Sequence, residues 1–324
     1  MARRHYTPGF PQGENMKILI TGGAGYIGSI LVPTLLEQGH EVTVVDTFGR
    51  GDTAMATACQ FEGFNPIRHD CRDERLLDDL VPRHDVLIPL AALVGAPLCK
   101  EDPIAAQTTN QDAVVALARR ASTQQMLVYP TTNSGYGIGQ GDQFCTEETP
   151  LNPISLYGVT KMAAENAVLD KRGISFRLAT VFGMAPRMRI DLLVNDFTWR
   201  AVTDRAVVLF ESHFKRNFIH VRDVVKGFVH GMENYESMRG EAYNLGLSSA
   251  NLSKWELCDK IKEYVPAFVY IEAPIGEDPD KRDYVVSNAK LESTGWTPDW
   301  TLDRGIPELI RGYKTLRNSR YANV

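Results

Sequence analysis

No apolar run in this 324-residue chain approaches the roughly 18 residues that a membrane-spanning helix needs, so no such helix is expected. Cysteine is scarce and scattered. The five thiols, Cys59, Cys71, Cys99, Cys145 and Cys258, are odd in number and show no CxxC or Cys/His spacing. That pattern argues against a disulfide framework and against a metal site, and it fits reduced thiols in a cytoplasmic protein. Excess charge is missing too: 35 Lys and Arg stand against 40 Asp and Glu, a net of −5, with no basic stripe. Nucleic acid is therefore not an expected partner. Residues 1–15 are polar and lack an apolar centre, which suits a loose leader and not a secretory signal. Low-complexity tracts and repeats of solenoid length are absent as well.

What is present is a globular composition, 44% apolar, long enough for one large domain or two intimate ones. Its organising stretch is Lys17–Gly28, KILITGGAGYIG. Ile18-Leu19-Ile20 reads as a strand buried on both faces. Gly22, Gly25 and Gly28 follow at every third position, and Tyr26-Ile27 opens a helix. A glycine turn between strand and helix N-terminus lets backbone N–H groups approach a pyrophosphate, whose charge the helix dipole favours. A second strand, Glu41–Val45, ends in Asp46, about 20 residues on, where a carboxylate grips the adenosine ribose. The expected cofactor is NAD, since Asp46 would repel a 2′-phosphate; Arg50 nearby leaves NADP open.

Further strands are expected at Asn65–Asp70, Asp85–Leu90 and Met126–Tyr129, and Gly173–Gly183 reads as a sixth strand and its crossover, with helices at 72–80, 103–121 and from Tyr157 to about Arg172. Alternation with short links predicts an α/β chain built on a doubly wound parallel Rossmann sheet. Asp70 and Cys71 end the third strand where an adenine commonly lies. Ala91 and Ala92 follow the fourth, their small side chains leaving room for a ligand, although close helix packing would also explain them.

Two segments carry chemistry. Thr132 ends the fifth strand, and Tyr157 and Lys161 sit four apart on one helix face. An ammonium beside a phenol favours the phenolate, making Tyr157 a general base for a sugar or alcohol hydroxyl. Downstream, Arg187 and Arg189 stand where a substrate lobe should begin; they suit a diphosphate, or are solvated loop arginines.

With TGGAGYIG, Asp46, Asp70, Ala91-Ala92, TTNSGYG, YGVTK and RNFIHVRDV in place, the chain resembles the extended short-chain dehydrogenase/reductase family over about residues 16–309. The likeness is to its NAD-dependent nucleotide-sugar epimerase and dehydratase branch (UDP-glucose 4-epimerase-like). The resemblance implies that Thr132 bridges substrate oxygen and Tyr157, and that Lys161 also bonds the nicotinamide ribose. Asn110 falls where the family has an asparagine that orders the site. Arg216 and Arg282 would hold substrate diphosphate, while Thr180 replaces a family asparagine that contacts phosphate. It implies NAD-binding residues 16–182, with return segments near 218–247, and a smaller α/β substrate lobe from 183–217 and 248–324. Residues 142–148 and 187–191 would shape the base and sugar pocket. Helices 105–121 and 157–172 resemble the family's dimer pair, so a homodimer is expected.

The neighbours of Thr132 bear on the reaction. Sugar 4,6-dehydratases of the family read Thr-Asp-Glu; here Asn133 and Ser134 stand in those places. Neither moves a proton as a carboxyl does, so that dehydration is disfavoured. Epimerisation of a nucleotide-diphosphate sugar through a keto sugar, most simply at C4, needs no such acid. Another nucleotide-sugar oxidoreductase or a multi-carbon epimerase stays open. The latter would need an acid/base pair, for which Cys145, Ser134 and His213 are candidates. A non-catalytic NAD-sensing scaffold is the remaining alternative.

Overall fold

The structure, a computed structural model, describes residues 15–49, 53–139, 143–275 and 282–316. Arg50, Asp142, the Asp278–Lys281 run, most of the leader and the last eight positions fall outside the described residues.

Seven strands form the central sheet. In space they run Ala242–Leu245, Ile174–Leu178, Met126–Thr132, Val86–Pro89, Lys17–Thr21, Glu41–Asp46 and Phe64–Arg68. Every neighbouring pair is parallel. Ile18, Leu19 and Ile20 are fully buried because helices cover both faces. The edge strand Phe64–Arg68 is largely exposed and carries Pro66, which edges tolerate. Strand order reverses between Lys17–Thr21 and Val86–Pro89, where an α/β sheet opens a crevice beyond its carboxyl ends.

The turn after the first strand is tight. Gly22 has φ +75° and a Cβ there would meet the Ala91 backbone nitrogen at 2.4 Å, so only glycine fits. A Cβ on Gly28 would lie 2.2 Å from the Gly23 carbonyl oxygen, so the helix Gly28–Glu37 can start only on glycine.

Two expectations need correction. The sixth strand breaks at Ala179: Ile174–Leu178 stays in the central sheet, whereas Thr180–Phe182 pairs with Lys215–His220 in a three-stranded sheet. The helix across 103–121 is interrupted, Pro103–Gln107 and Ala113–Arg120 being joined by a π-helical turn at Thr108–Asp112. Such turns re-aim a side chain, here Asn110.

Candidate functional site

A cavity of about 520 Å³ lies beyond the carboxyl ends of the strands. Its wall takes in Gly22, Gly25, Tyr26, Ile27, Gly28, Asp46, Asp70, Cys71, Ala91 and Ala92 from the cofactor expectations. It also takes in Thr132, Ser134, Tyr157, Lys161, Arg187, Arg189 and Arg282.

At the glycine end, the Ala24 N–H donates to Asp46 Oδ2 (3.0 Å) and the Phe48 N–H to Oδ1 (2.8 Å). The carboxylate is thus aimed before any ligand arrives. Helix Gly28–Glu37 has no side-chain cap and no acidic residue in its first turn, which leaves its N-terminus to a ligand anion. These features suit a dinucleotide. Asp70 bonds Arg72 Nε at 3.0 Å, and that bond holds its carboxyl below its ordinary range. Burial pushes the Cys71 thiol up to about 12, so it packs as a neutral group.

At the other end, Ser155 caps the helix Leu156–Asp170 by accepting from the Gly158 N–H at 3.2 Å. Tyr157 sits in its first turn and lines the cavity with Thr132. The Thr132 and Ser134 hydroxyls are 2.9 Å apart, and Arg282 Nη1 donates to Ser134 Oγ. A chain of polar contacts therefore joins Thr132, Ser134 and Arg282.

The electrostatics differ from the sequence expectation. Burial pushes the Tyr157 phenol up to about 12, and the charges that oppose this are Arg189 and Arg282. Lys161 is buried, with Nζ 4.1 Å from the Tyr129 ring centroid, and burial pushes its ammonium down to about 7 against the pull of Glu165. The lysine faces tyrosine's π-cloud, and the guanidiniums supply the positive field at the phenol.

Three expected residues stand behind the wall. Asn110 is fully buried; its Oδ1 accepts from the Leu93 N–H at 2.8 Å and its Nδ2 donates to the Leu93 carbonyl at 2.9 Å. It shapes the segment that lines the cavity and has no place in the lining itself. Asn133 is buried with both amide atoms unpartnered. Arg216 is buried with its guanidinium carbon 5.8 Å from the Tyr284 ring centroid, and Tyr284 is the one in the wall. Cys145 and His213 also lie outside the wall, whereas Ser134 is in it.

Sequence reasoning missed the supports. Glu165 follows Lys161 by one helical turn and is buried; it accepts from Thr131 (2.8 Å), Ser175 (2.7 Å) and Arg177 (2.7 Å). Its spacing on the Tyr157 face was the available signal. Arg72, which holds Asp70, carried none.

Sheet order, glycine turn and tyrosine–lysine helix define a dinucleotide-binding enzyme of the short-chain dehydrogenase/reductase kind. Residues 18–246 match the model of the NAD dependent epimerase/dehydratase family, and the chain belongs to that family; its cofactor is NAD. It is 29% identical over 322 residues to a UDP-glucuronic acid decarboxylase 3 of Arabidopsis thaliana, covering 94% of this chain and 91% of that one. Among solved structures, a UDP-glucuronic acid 4-epimerase from Bacillus cereus superposes with TM-score 0.81 at 24% identity, covering 93% and 100% of the two chains. A dTDP-glucose 4,6-dehydratase from Bacillus anthracis does so with TM-score 0.79 at 22%, covering 95% and 98%. The last two establish the shared fold.

Proposed function

We propose that this enzyme oxidises and re-reduces a nucleotide-diphosphate sugar through a transient keto sugar, most simply inverting C4. The observation that carries the reading is the make-up of the wall around Tyr157. Among the described residues, the wall's carboxylates, Asp46 and Asp70, belong to the glycine end; Thr132, Ser134, Arg189 and Arg282 surround the phenol. Hydride chemistry needs a base and no carboxyl acid, whereas 4,6-dehydration needs both. NAD, when bound, accepts the sugar hydride, and returning it to the opposite face completes an epimerisation.

In this reading Tyr157 takes the O4 proton and Thr132 holds that oxygen beside it. Lys161 lies on the same helix face and bonds the nicotinamide ribose. Asp46 and the glycine turn hold the adenosine end. Arg187 and Arg282 bind the diphosphate with Arg189, and Arg216 supports Tyr284 behind them. The segments 183–217 and 248–316 make the substrate lobe. The protein works in the cytoplasm as a homodimer through the faces of Pro103–Gln107 and Leu156–Asp170, where Ile104 and Val159 are exposed.

One observation favours a second reading. Two guanidiniums, Arg189 and Arg282, act on the reacting phenol itself, which suits a sugar that carries a carboxylate. Oxidation of such a sugar at C4 makes a β-keto acid, which loses carbon dioxide unless the site prevents it. The relatives and neighbours named for UDP-glucuronic acid agree with this class of substrate.

The test is proton NMR of the protein with UDP-glucose, UDP-galactose, UDP-glucuronic acid and dTDP-glucose in D₂O, without added cofactor. A C4-inverted sugar without ring deuterium supports epimerisation. A pentose product with deuterium at C5 supports the carboxylate reading. Release of a 6-deoxy-4-keto sugar contradicts both.

A further inference from the structure

We propose that Asn195 is a positioning residue for the reaction: its carboxamide pins the Arg187–Arg189 loop to the glycine turn and so fixes the Arg189 guanidinium beside Tyr157. Asn195 is fully buried in the first turn of helix Leu193–Thr203. Its Oδ1 accepts from the Gly183 N–H at 3.0 Å. Its Nδ2 donates to the Tyr26 hydroxyl at 3.2 Å and to the Arg189 carbonyl at 2.8 Å. The Tyr26 hydroxyl donates in turn to the Gly183 carbonyl at 2.5 Å. Both amide protons and the carbonyl of one side chain thus tie together three segments: the glycine turn, the end of strand Thr180–Phe182 and the arginine loop.

The Arg189 guanidinium is oriented by Asp191, with Nε to Oδ1 at 2.9 Å. Arg189 is thus held at its backbone by Asn195 and at its side chain by Asp191, in the wall of the cavity that Tyr157 also lines. Other groups around Tyr157 are Lys161 on its own helix, Tyr129 on strand Met126–Thr132, Cys99 on Ala96–Glu101 and Arg282 from the far wall. Of these, the two guanidiniums favour the phenolate, and Arg189 is the stronger influence.

The inference rests on Tyr157 acting as the base. Its test is a double-mutant cycle on NAD-loaded protein, using whichever sugar of the panel is turned over. Asn195→Ser should raise the acid limb of the kcat–pH profile by about one pH unit, as loss of a nearby opposite charge does, with NAD content retained and the melting temperature lowered by the buried hydrogen bonds lost. Arg189→Met should raise it as far, and the double variant no further. Tyr26→Phe, which removes one of the two groups that Asn195 Nδ2 bonds, should shift the limb in the same direction by less. If Asn195→Ser does not fold, Tyr26→Phe with Arg189→Met completes the same cycle. An unmoved limb, or shifts that add in the double variant, overturns the positioning role. Wild-type turnover in Tyr157→Phe overturns instead the function on which it rests.

Discussion

Tyr157 must give up its proton to work as a base, yet burial alone holds that proton tightly, and the charges that loosen it lie on other segments of the chain. Replacing Tyr157 by Phe is expected to lower kcat by about a hundred- to ten-thousand-fold, the usual worth of a general base, with NAD still bound; steady-state kinetics with a retained-cofactor assay checks both. At the same scale, thiol chemistry should be selective. Burial pushes up Cys71, Cys99, Cys145 and Cys258, while Cys59 is exposed. A maleimide on the native protein should therefore label Cys59 alone, read by peptide mass mapping; labelling of any buried thiol contradicts the packing. Much of the cavity wall was legible in individual residues: the glycines, Asp46 and the tyrosine–lysine pair are read from spacing, because one turn and one helix fix their geometry. Arg189 beside the phenol was not legible as a tuning charge, because its placement depends on Asn195, contributed by a different element.

Among elements, the helix Leu156–Asp170 is anchored by a buried ion pair. Glu165 and Arg177 meet at 2.7 Å with side chains only 1% and 7% exposed. Arg177 also donates to the Tyr136 hydroxyl at 3.2 Å and to the Glu147 carbonyl at 3.1 Å, so it joins the turn beyond Thr132 to the reactive helix. Glu165→Gln leaves the guanidinium buried without its charge partner, and a loss of about 3–5 kcal/mol is expected in urea unfolding. Arg177→Met added to Glu165→Gln should recover part of it. A single-variant loss under about 1 kcal/mol would mean that water reaches the pair, since exposed pairs are worth no more. The sequence reading placed this helix within two residues at each end, from Tyr157 to about Arg172, against Leu156–Asp170 in the structure. It did not show the π-helical turn at Asn110 or the break at Ala179. Both are decided by which sheet or cavity wall the segment meets, and neither leaves a pattern in the local sequence.

Over the whole molecule, buried titratable groups set the response to pH. His40, His84, His220 and His230 are all held below their ordinary range by burial. The unfolded chain binds protons on them before the folded chain does, so their contribution is full above about pH 6.5 and fades as pH falls. Asp223 acts in the opposite sense: burial raises it to about 6, so the folded state takes up a proton there and offsets part of the loss below that pH. The melting temperature should therefore drop between pH 7 and pH 6 and then fall less steeply; a rise on acidification over that interval would contradict the burial of the histidines. The chain is also expected to sediment as a homodimer, and a monomeric mass at micromolar concentration would contradict that. The doubly wound parallel sheet was legible because alternating strands and helices with short links admit few topologies. The reaction was legible only to the family, since epimerases and decarboxylases share one oxidation step and diverge in the fate of the keto sugar.

That shared step is hydride transfer from and back to C4, and tracing a single hydrogen tests it. The protein is given the sugar it turns over, deuterated at C4, in ordinary water without added cofactor, and the product is read by NMR and mass. Deuterium retained at C4 of the product is the predicted result, because a hydride taken from and returned to that carbon never meets solvent. Deuterium lost to water while turnover proceeds would contradict the account.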